Sequence, residues 1–99
     1  MDVEHSYQGI LFEWDGDKAE TNLGKHGISF EAACEAFFDP FVFVTDQETA
    51  GSEVRDTIIG MTQRWKVLCV IYTIRVDDRF RIISAREATP TERRDYESQ

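Results

Sequence analysis

Residues 55–86 contain three consecutive segments of β type, RDTIIGMT (55–62), KVLCVIYTIR (66–75) and RFRIISAR (79–86), separated by short polar turns. All three are rich in the β-branched and aromatic residues that favour strands. Connections this short join antiparallel neighbours, because a parallel connection needs a dozen or more residues. We therefore predict an antiparallel meander with two-residue turns at Gln63-Arg64 and Asp77-Asp78.

Three helices are predicted from their capping residues. The first opens at Asp15 and closes at Gly27, which can adopt the left-handed conformation that ends a helix. The second is capped by Ser29, and FEAACEAFF (30–38) carries apolar residues at i, i+3, i+4, i+7 and i+8. The third opens with a capping box in TPTERRDYE (89–97).

The predicted order is β-α-α-β-β-β-β-α, an α+β fold with an antiparallel sheet, two N-terminal helices and a C-terminal helix. GILFEW (9–14) supplies the first strand, FVFVT (41–45) supplies the second, and DQETAGSE (46–53) is predicted as a loop. The length of 99 residues predicts a single domain over residues 1–99. Residues 1–9 are expected to form a disordered tail.

Charge is distributed unevenly along the chain, whose net charge is −8. Residues 1–63 carry 13 acidic and 3 basic side chains, whereas residues 64–94 carry 4 acidic and 8 basic ones. The overall acidity argues against a general nucleic-acid-binding surface, but the basic second half can still form a local phosphate site. This asymmetry indicates a charged partner.

The composition indicates a cytoplasmic protein without a cofactor. Cys34 and Cys69 lie among apolar residues, which predicts buried, reduced thiols. No apolar run approaches the roughly 20 residues needed to cross a bilayer, so no membrane association is expected. Glu13, Asp15 and Asp17 form an acidic group, of which Asp15 and Asp17 are interpreted as cap and first-turn residues of the helix, and no metal is expected.

The adjacent basic residues Lys25 and His26 close the first helix and allow two interpretations. Lysine and histidine at a helix C-terminus stabilise any helix through its macrodipole. On a helical wheel, however, His26 falls beside the apolar positions Ala19 and Leu23, which predicts a half-buried imidazole next to a flexible cation. Such a histidine is a candidate general acid or base near neutral pH.

The arginines of the meander form a second candidate group. With two-residue turns, Arg55 faces Tyr72 and Ile74 faces Arg81, so these four side chains share one face of the sheet, with Arg79 beyond them. Guanidinium groups flanking an aromatic ring suit a backbone phosphate with a stacked base. Alternatively, strand arginines lie on a solvated face or pair with the many acidic side chains.

In combination, these motifs resemble the BrnT family of bacterial type II toxins, which have a RelE-like fold. The resemblance extends from Leu11 to Tyr96, and the order and spacing of its motifs are highly specific. The matching stretches are FEWDGDKAETNLGKHGISFEAA, FDP at Phe38 to Pro40, E-x-R at Glu53 to Arg55, YTIR (72–75), and RIISAREAT followed by ERRDY.

The resemblance implies a metal-independent endoribonuclease that cuts RNA by attack of the 2′-hydroxyl on the neighbouring phosphate and so inhibits translation and growth. It also implies a BrnA-type antitoxin with a DNA-binding domain, and contact with operator DNA only through the toxin–antitoxin complex. An alternative hypothesis is a catalytically inactive toxin-fold module that serves as antitoxin partner and transcriptional co-repressor. Carried onto this sequence, the family motifs imply a catalytic set of Lys25, His26, Arg55 and Arg81, and an RNA-binding set of Tyr72, Arg75, Arg79 and Arg86.

Overall fold

The computed structural model describes residues 1–99 and contains one six-stranded sheet and three helices, which confirms the α+β class. No helix is both long enough and apolar enough to span a membrane. The elements in chain order are β1 Asp2–Tyr7, β2 Ile10–Asp15, α1 Gly16–His26, α2 Phe30–Ala36, β3 Phe43–Ala50, β4 Glu53–Met61, β5 Val67–Ile74, β6 Phe80–Glu87 and α3 Pro90–Glu97.

The strands lie in the order β1-β2-β6-β5-β4-β3. Strands β3 to β6 pair as consecutive antiparallel neighbours, which confirms the predicted meander. The prediction of a wholly antiparallel sheet is wrong at one point, because β2 pairs in parallel with β6 through Phe12 with Phe80 and Glu13 with Arg81. This parallel pair brings the N-terminal hairpin alongside the last strand.

The predicted disordered tail over residues 1–9 is wrong for the residues that form β1. Asp2–Tyr7 pair with β2 in an antiparallel hairpin. The two-residue turn at Gln8 and Gly9 has φ angles of 49° and 83°, the positive values that a type I′ hairpin turn requires. The sequence DVEHSY gives little apolar periodicity because β1 is a largely exposed edge strand.

Both hairpins of the meander turn over three residues instead of the predicted two. Residues 63–65 connect β4 to β5, and residues 76–78 connect β5 to β6. Trp65 and Asp78 have left-handed φ angles of 68° and 66°, as expected for the residue that follows a type I turn in such loops. The extra residue in each loop shifts the strand register by one position.

Strand β3 replaces much of the loop predicted over residues 46–53. It extends to Ala50, with a bulge between Val44 and Asp46, and pairs with β4 along its whole length. Its side chains are mostly exposed, so the pairing depends on backbone hydrogen bonds rather than on apolar side chains. The polar composition of residues 46–53 therefore led to the incorrect prediction of a loop.

The predicted helix caps are confirmed. Asp15 and Ser29 accept backbone N–H bonds at the starts of α1 and α2, and Thr89 forms the capping box of α3. Gly27 has a left-handed φ of 71° and donates its N–H to the last turn of α1. Helix α2 ends at Ala36, two residues earlier than predicted.

The sheet carries a hydrophobic core on each of its faces. Helices α1 and α2 cover one face, where Trp14 and Phe30 are fully enclosed. Helix α3 covers part of the opposite face through Tyr96, and we call this opposite face the far face. Cys34 and Cys69 are buried and unpaired, as predicted.

Asn22 joins α1 to the sheet. Its buried side chain donates to the carbonyl oxygens of Ala85 and Ile28 at 2.8 and 3.0 Å, and accepts from the Ala85 N–H at 3.2 Å. These bonds satisfy the backbone of β6 beyond its short pairing with β2. The contact holds the outer surface of α1, including Lys25 and His26, beside β6.

Candidate functional site

The strand register places Arg55 and Arg81 on the far face of the sheet. Asp56 pairs with Tyr72, and Thr73 pairs with Arg81. Because side chains alternate between faces along a strand, Arg55 and Arg81 lie together, two strands apart, at a separation of about 10 Å. Tyr72 lies on the opposite face, so the prediction that it shares a face with the two arginines is wrong.

Tyr72 belongs to the core beneath α2. It is 7% exposed, and its ring centroid lies 4.9 Å from that of Phe37 and 5.6 Å from that of Phe80. Burial raises the pKa of its phenol. With neighbouring aromatic rings packed against it, Tyr72 has no free surface on which an RNA base can stack.

A groove of about 330 Å³ lies between α1 and β6 and contains Lys25 and His26. Lys18 also lines it, seven residues before Lys25 and therefore two helical turns away on the same side of α1. His26 is exposed, which corrects the predicted half-buried position. The helix is rotated so that Asn22 is buried while Leu23 is 50% exposed.

Ser84 connects this groove to the arginines of the far face. It lines the groove and pairs with Ile71 across the sheet. Arg81 precedes it by three residues on β6, which corresponds to about 10 Å along a strand. Arg86 follows it by two residues and pairs with Cys69, which packs in the far-face core. Ser84 therefore places the groove beside the strand that carries Arg81 and Arg86.

The carboxylate of Glu13 lies between Arg79 and Arg81. Its side chain is 5% exposed, and its oxygens lie 3.1 Å from Arg79 Nη1 and 2.5 Å from Arg81 Nη1. Two acids of β1 add further contacts, Glu4 to Arg79 Nη1 at 2.7 Å and Asp2 to Arg81 Nη2 at 3.1 Å. Asp77, in the loop before β6, lies 2.8 Å from Arg79 Nε. The acids of the N-terminal hairpin therefore neutralise the guanidinium of Arg81, and together with Asp77 they neutralise that of Arg79.

The other predicted arginines differ in their surroundings. Arg86 donates two hydrogen bonds to Glu92, at 2.8 and 3.0 Å, and this pairing lowers the pKa of Glu92 to about 2. Arg55 pairs with Glu53 at 2.8 Å, and because both side chains are 37% exposed the pair is weak. Arg75 lies apart, in a separate cavity of about 470 Å³ at the ends of β4 and β5.

These contacts decide between the two interpretations of the strand arginines. The alternative that they pair with acidic side chains is confirmed for Arg55, Arg79, Arg81 and Arg86. Shared location on the far face is confirmed as well for Arg55 and Arg81. Arg55 and Arg81 therefore share one face of the sheet, and each is also paired with an acidic side chain of the same chain.

Three residues that contribute to this region were missing from the predicted site. The sequence assigns no role to Glu13, because its pairing with Arg81 depends on the parallel contact of β2 with β6. Ser84 lines the groove only because β6 runs beside α1. Lys18 could have been found from its spacing of seven residues from Lys25.

The arrangement is suited to an anionic ligand. Ammonium and guanidinium groups stabilise charge that develops on phosphate oxygens, and an exposed imidazole can transfer a proton near neutral pH. No group of three or more His, Cys, Asp or Glu side chains is placed to hold a metal ion. The reactive groups that the site offers are therefore Lys18, Lys25, His26 and the nearby arginines.

Comparisons with known proteins assign the chain to a family. No curated protein shows a significant match. The crystal structure of the Brucella abortus ribonuclease toxin BrnT is similar, with a TM-score of 0.54 and 27% identity, covering 77% of this chain and 92% of that chain. The family model described as "Ribonuclease toxin, BrnT, of type II toxin-antitoxin system" matches residues 14–92, which is most of the sequence. The chain therefore belongs to the BrnT family of ribonuclease toxins of type II toxin–antitoxin systems.

Proposed function

We propose that the protein is a metal-independent endoribonuclease toxin whose active site lies where the α1–β6 groove meets the arginines of the far face. The observation that carries this proposal is the placement of Lys25 and His26 in a groove that also contains Ser84, three residues from Arg81. A cleft of this kind can bind a phosphodiester through cationic groups alone. Family membership supports RNA as the substrate.

In the proposed reaction, the RNA 2′-hydroxyl attacks the adjacent phosphorus atom and the bond to the 5′-oxygen breaks. The products are a 2′,3′-cyclic phosphate and a 5′-hydroxyl end. His26 acts as general acid or base, and Lys25 stabilises the negative charge of the phosphorane together with Arg55 and Arg81. Arg79 and Arg86 contribute to binding the RNA backbone.

The proposed partner is a BrnA-type antitoxin with a DNA-binding domain. Membership in a type II family implies an antitoxin. The acidic first 63 residues, with 13 acidic and 3 basic side chains, suit a basic partner. We propose that operator DNA is contacted only through this complex, that the toxin acts in the cytoplasm, and that RNA cleavage inhibits translation and growth. The six-stranded sheet with its antiparallel meander supports placement in the RelE-like superfamily.

A second candidate function is a catalytically inactive binding module that serves as antitoxin partner and co-repressor. The acidic pairing of Arg79 and Arg81 favours it, because an arginine bound by carboxylates is less available to RNA. The two functions predict different effects on bacterial growth. Induced alone in bacteria, an active toxin arrests growth, and its antitoxin restores growth, whereas a binding module produced at the same soluble level leaves growth unchanged.

RNA cleavage by the purified protein is expected to persist in excess EDTA and to leave 2′,3′-cyclic phosphate ends. The reason is that the proposed chemistry uses protein cations in place of a metal-bound hydroxide. The measurement is cleavage of one defined RNA with and without EDTA. The 3′ ends of the products are then tested by ligation, which a cyclic phosphate blocks because it leaves no free 3′-hydroxyl. Loss of cleavage on chelation, with recovery in Mg²⁺ or Mn²⁺, would contradict the proposed chemistry.

A further inference from the structure

Arg79 and Arg81 are occupied by the protein's own carboxylates. Arg79 Nη1 lies 2.7 Å from Glu4 and 3.1 Å from Glu13, while Arg81 contacts Asp2 at 3.1 Å and Glu13 at 2.5 Å. Arginine binds carboxylates and phosphates through the same donor geometry. The acids of β1 and β2 therefore occupy the donors that a phosphodiester would use.

The hairpin geometry explains why these acids converge. Asp2 pairs with Asp15, and Glu4 pairs with Glu13, so alternating positions of β1 present their side chains on the same sheet face as Glu13. The parallel pairing of Glu13 with Arg81 then places that face beside the arginines. The edge strand thus adds two carboxylates, Asp2 and Glu4, to a site that already contains Glu13 and Asp77.

The three carboxylates of the N-terminal hairpin, Asp2, Glu4 and Glu13, are not equivalent. Glu13 has a side chain only 5% exposed and contacts both arginines, so its separation from them would leave a buried charge unpaired. Asp2 and Glu4 have side chains 63% and 61% exposed, and exposed ion pairs contribute little to stability because water screens them. Glu13 is therefore a permanent partner of the arginines, whereas Asp2 and Glu4 can be displaced at little cost.

We propose that β1 is a built-in competitor for RNA: Asp2 and Glu4 occupy a phosphodiester-binding position at Arg79 and Arg81, and single-stranded RNA binds there by displacing them. This inference rests on the proposed function, since it assumes that these arginines contact the substrate. Strand β1 thereby lowers the affinity of the toxin for RNA. The hydrogen bonds from Arg81 lower the pKa of Asp2.

The family match is consistent with an added competitor. It covers residues 14–92, so Arg79 and Arg81 lie inside it, while the two exposed acids Asp2 and Glu4 lie well before its start. Asp2 and Glu4 thus come from the part of the chain before the family match, whereas Asp77, which lies 2.8 Å from Arg79 Nε, is within it. A strand added to the sheet edge can change the availability of a site without altering the residues of the site itself.

The test compares the double variant Asp2→Asn/Glu4→Gln with a control, Asp95→Asn/Glu97→Gln. The control removes the same two types of acid from exposed positions of α3 that form no ion pair. The probe is a short single-stranded RNA with 2′-O-methyl groups throughout, which the proposed reaction cannot cleave. Its dissociation constant is measured by fluorescence anisotropy over a range of salt concentrations for wild type and both variants.

The β1 variant is expected to bind the probe about 10-fold more tightly than the control. Because up to two additional phosphates would contact Arg79 and Arg81, its salt dependence should also steepen, by about 0.7 in the logarithmic slope per phosphate. Equal affinity in the two variants would mean that only net charge matters, and would overturn the proposal. Unchanged binding in both variants would overturn it as well.

The binding result can be interpreted independently of variant folding and of ribonuclease activity. The amide substitutions keep the backbone pairing of β1 with β2, and the single variants Asp2→Asn and Glu4→Gln each serve if the double variant unfolds. Because the probe is not cleavable, the binding result does not depend on ribonuclease activity. A parallel assay with cleavable RNA of the same sequence shows whether the proposed function fails while the competition by β1 holds.

Discussion

Lys25→Ala and His26→Gln are each expected to lower the single-turnover rate of RNA cleavage by about 10²-fold. Lys25 is proposed to stabilise charge on the phosphorane and His26 to transfer a proton, and removal of either contribution raises the barrier by a few kcal/mol. Both side chains are exposed in the last turn of α1, so the lost helix-dipole interaction should cost only about 0.3–1 kcal/mol of stability. Single-turnover cleavage of one defined RNA, alongside thermal melting, measures both effects.

Arg64→Ala and Arg93→Ala serve as matched controls for simple loss of positive charge. Both arginines are exposed and make no ion pair, and neither lines the groove. They should retain cleavage within a few-fold of wild type. Equal small losses in all four variants would indicate that only the total positive charge matters. Lys25 and His26 would then only stabilise the C-terminus of α1.

Arg55→Ala should also reduce cleavage with little loss of stability, because its pair with Glu53 is exposed. Arg81→Ala is different. It leaves the buried carboxylate of Glu13 with Arg79 as its remaining partner, so we expect a larger loss of stability than for Arg55→Ala. Its cleavage rate is therefore informative only per folded molecule.

Gly60→Ala is expected to produce the largest loss of stability of any single methyl addition to the sheet. A Cβ at this position would lie 2.4 Å from the carbonyl oxygen of Ala36 in α2, closer than atoms can approach. Helix and strand would have to separate, at a cost of about 3 kcal/mol or more. Thermal unfolding should show a fall in Tm of roughly 10–20 °C for a chain of this size.

Gly24→Ala provides the matched control for the same chemical change. Gly24 lies within α1, and no atom lies within 4 Å of a Cβ built there. Replacing a helical glycine with alanine should therefore raise stability by about 0.5–1 kcal/mol. Similar Tm values for the two variants would show that α2 does not pack against β4 at the distance described.

Local rules predicted the helices well because capping depends on neighbours in the chain. Asp15, Ser29, Gly27 and the capping box at Thr89 all occupy the positions that their side chains favour. The meander was predictable for the same reason, since short connections leave only antiparallel neighbours. These elements account for most of the fold.

The strand register and the edge strands were harder to predict. A single extra loop residue with left-handed φ, Trp65 or Asp78, moves every side chain of a strand to the opposite face, which is why Tyr72 was misplaced. Strand β1 was missed because an exposed edge strand needs no apolar alternation. The role of Glu13 depends on the local hairpin with β1 and on the parallel pairing with β6. The parallel pairing joins residues about 70 positions apart, which local sequence rules do not detect.

The acidic net charge of −8 has a structural counterpart in this arrangement. Long-range repulsion lowers the rate at which an acidic protein approaches RNA. Locally, the carboxylates of the N-terminal hairpin add to this by occupying Arg79 and Arg81. Lys18 and Lys25 in the groove make no ion pair within 4 Å, so the chain's own carboxylates do not occupy their ammonium groups as they occupy Arg79 and Arg81.

The most direct test of the central claim is to map where RNA binds, by following backbone amide signals in NMR spectra during titration with the 2′-O-methyl RNA. The proposed site predicts the largest shifts around Lys25 and Ser84 in the α1–β6 groove, extending along β6 to Arg81. Shifts confined to the separate cavity lined by Val54 and Arg75, with the groove unaffected, would contradict it.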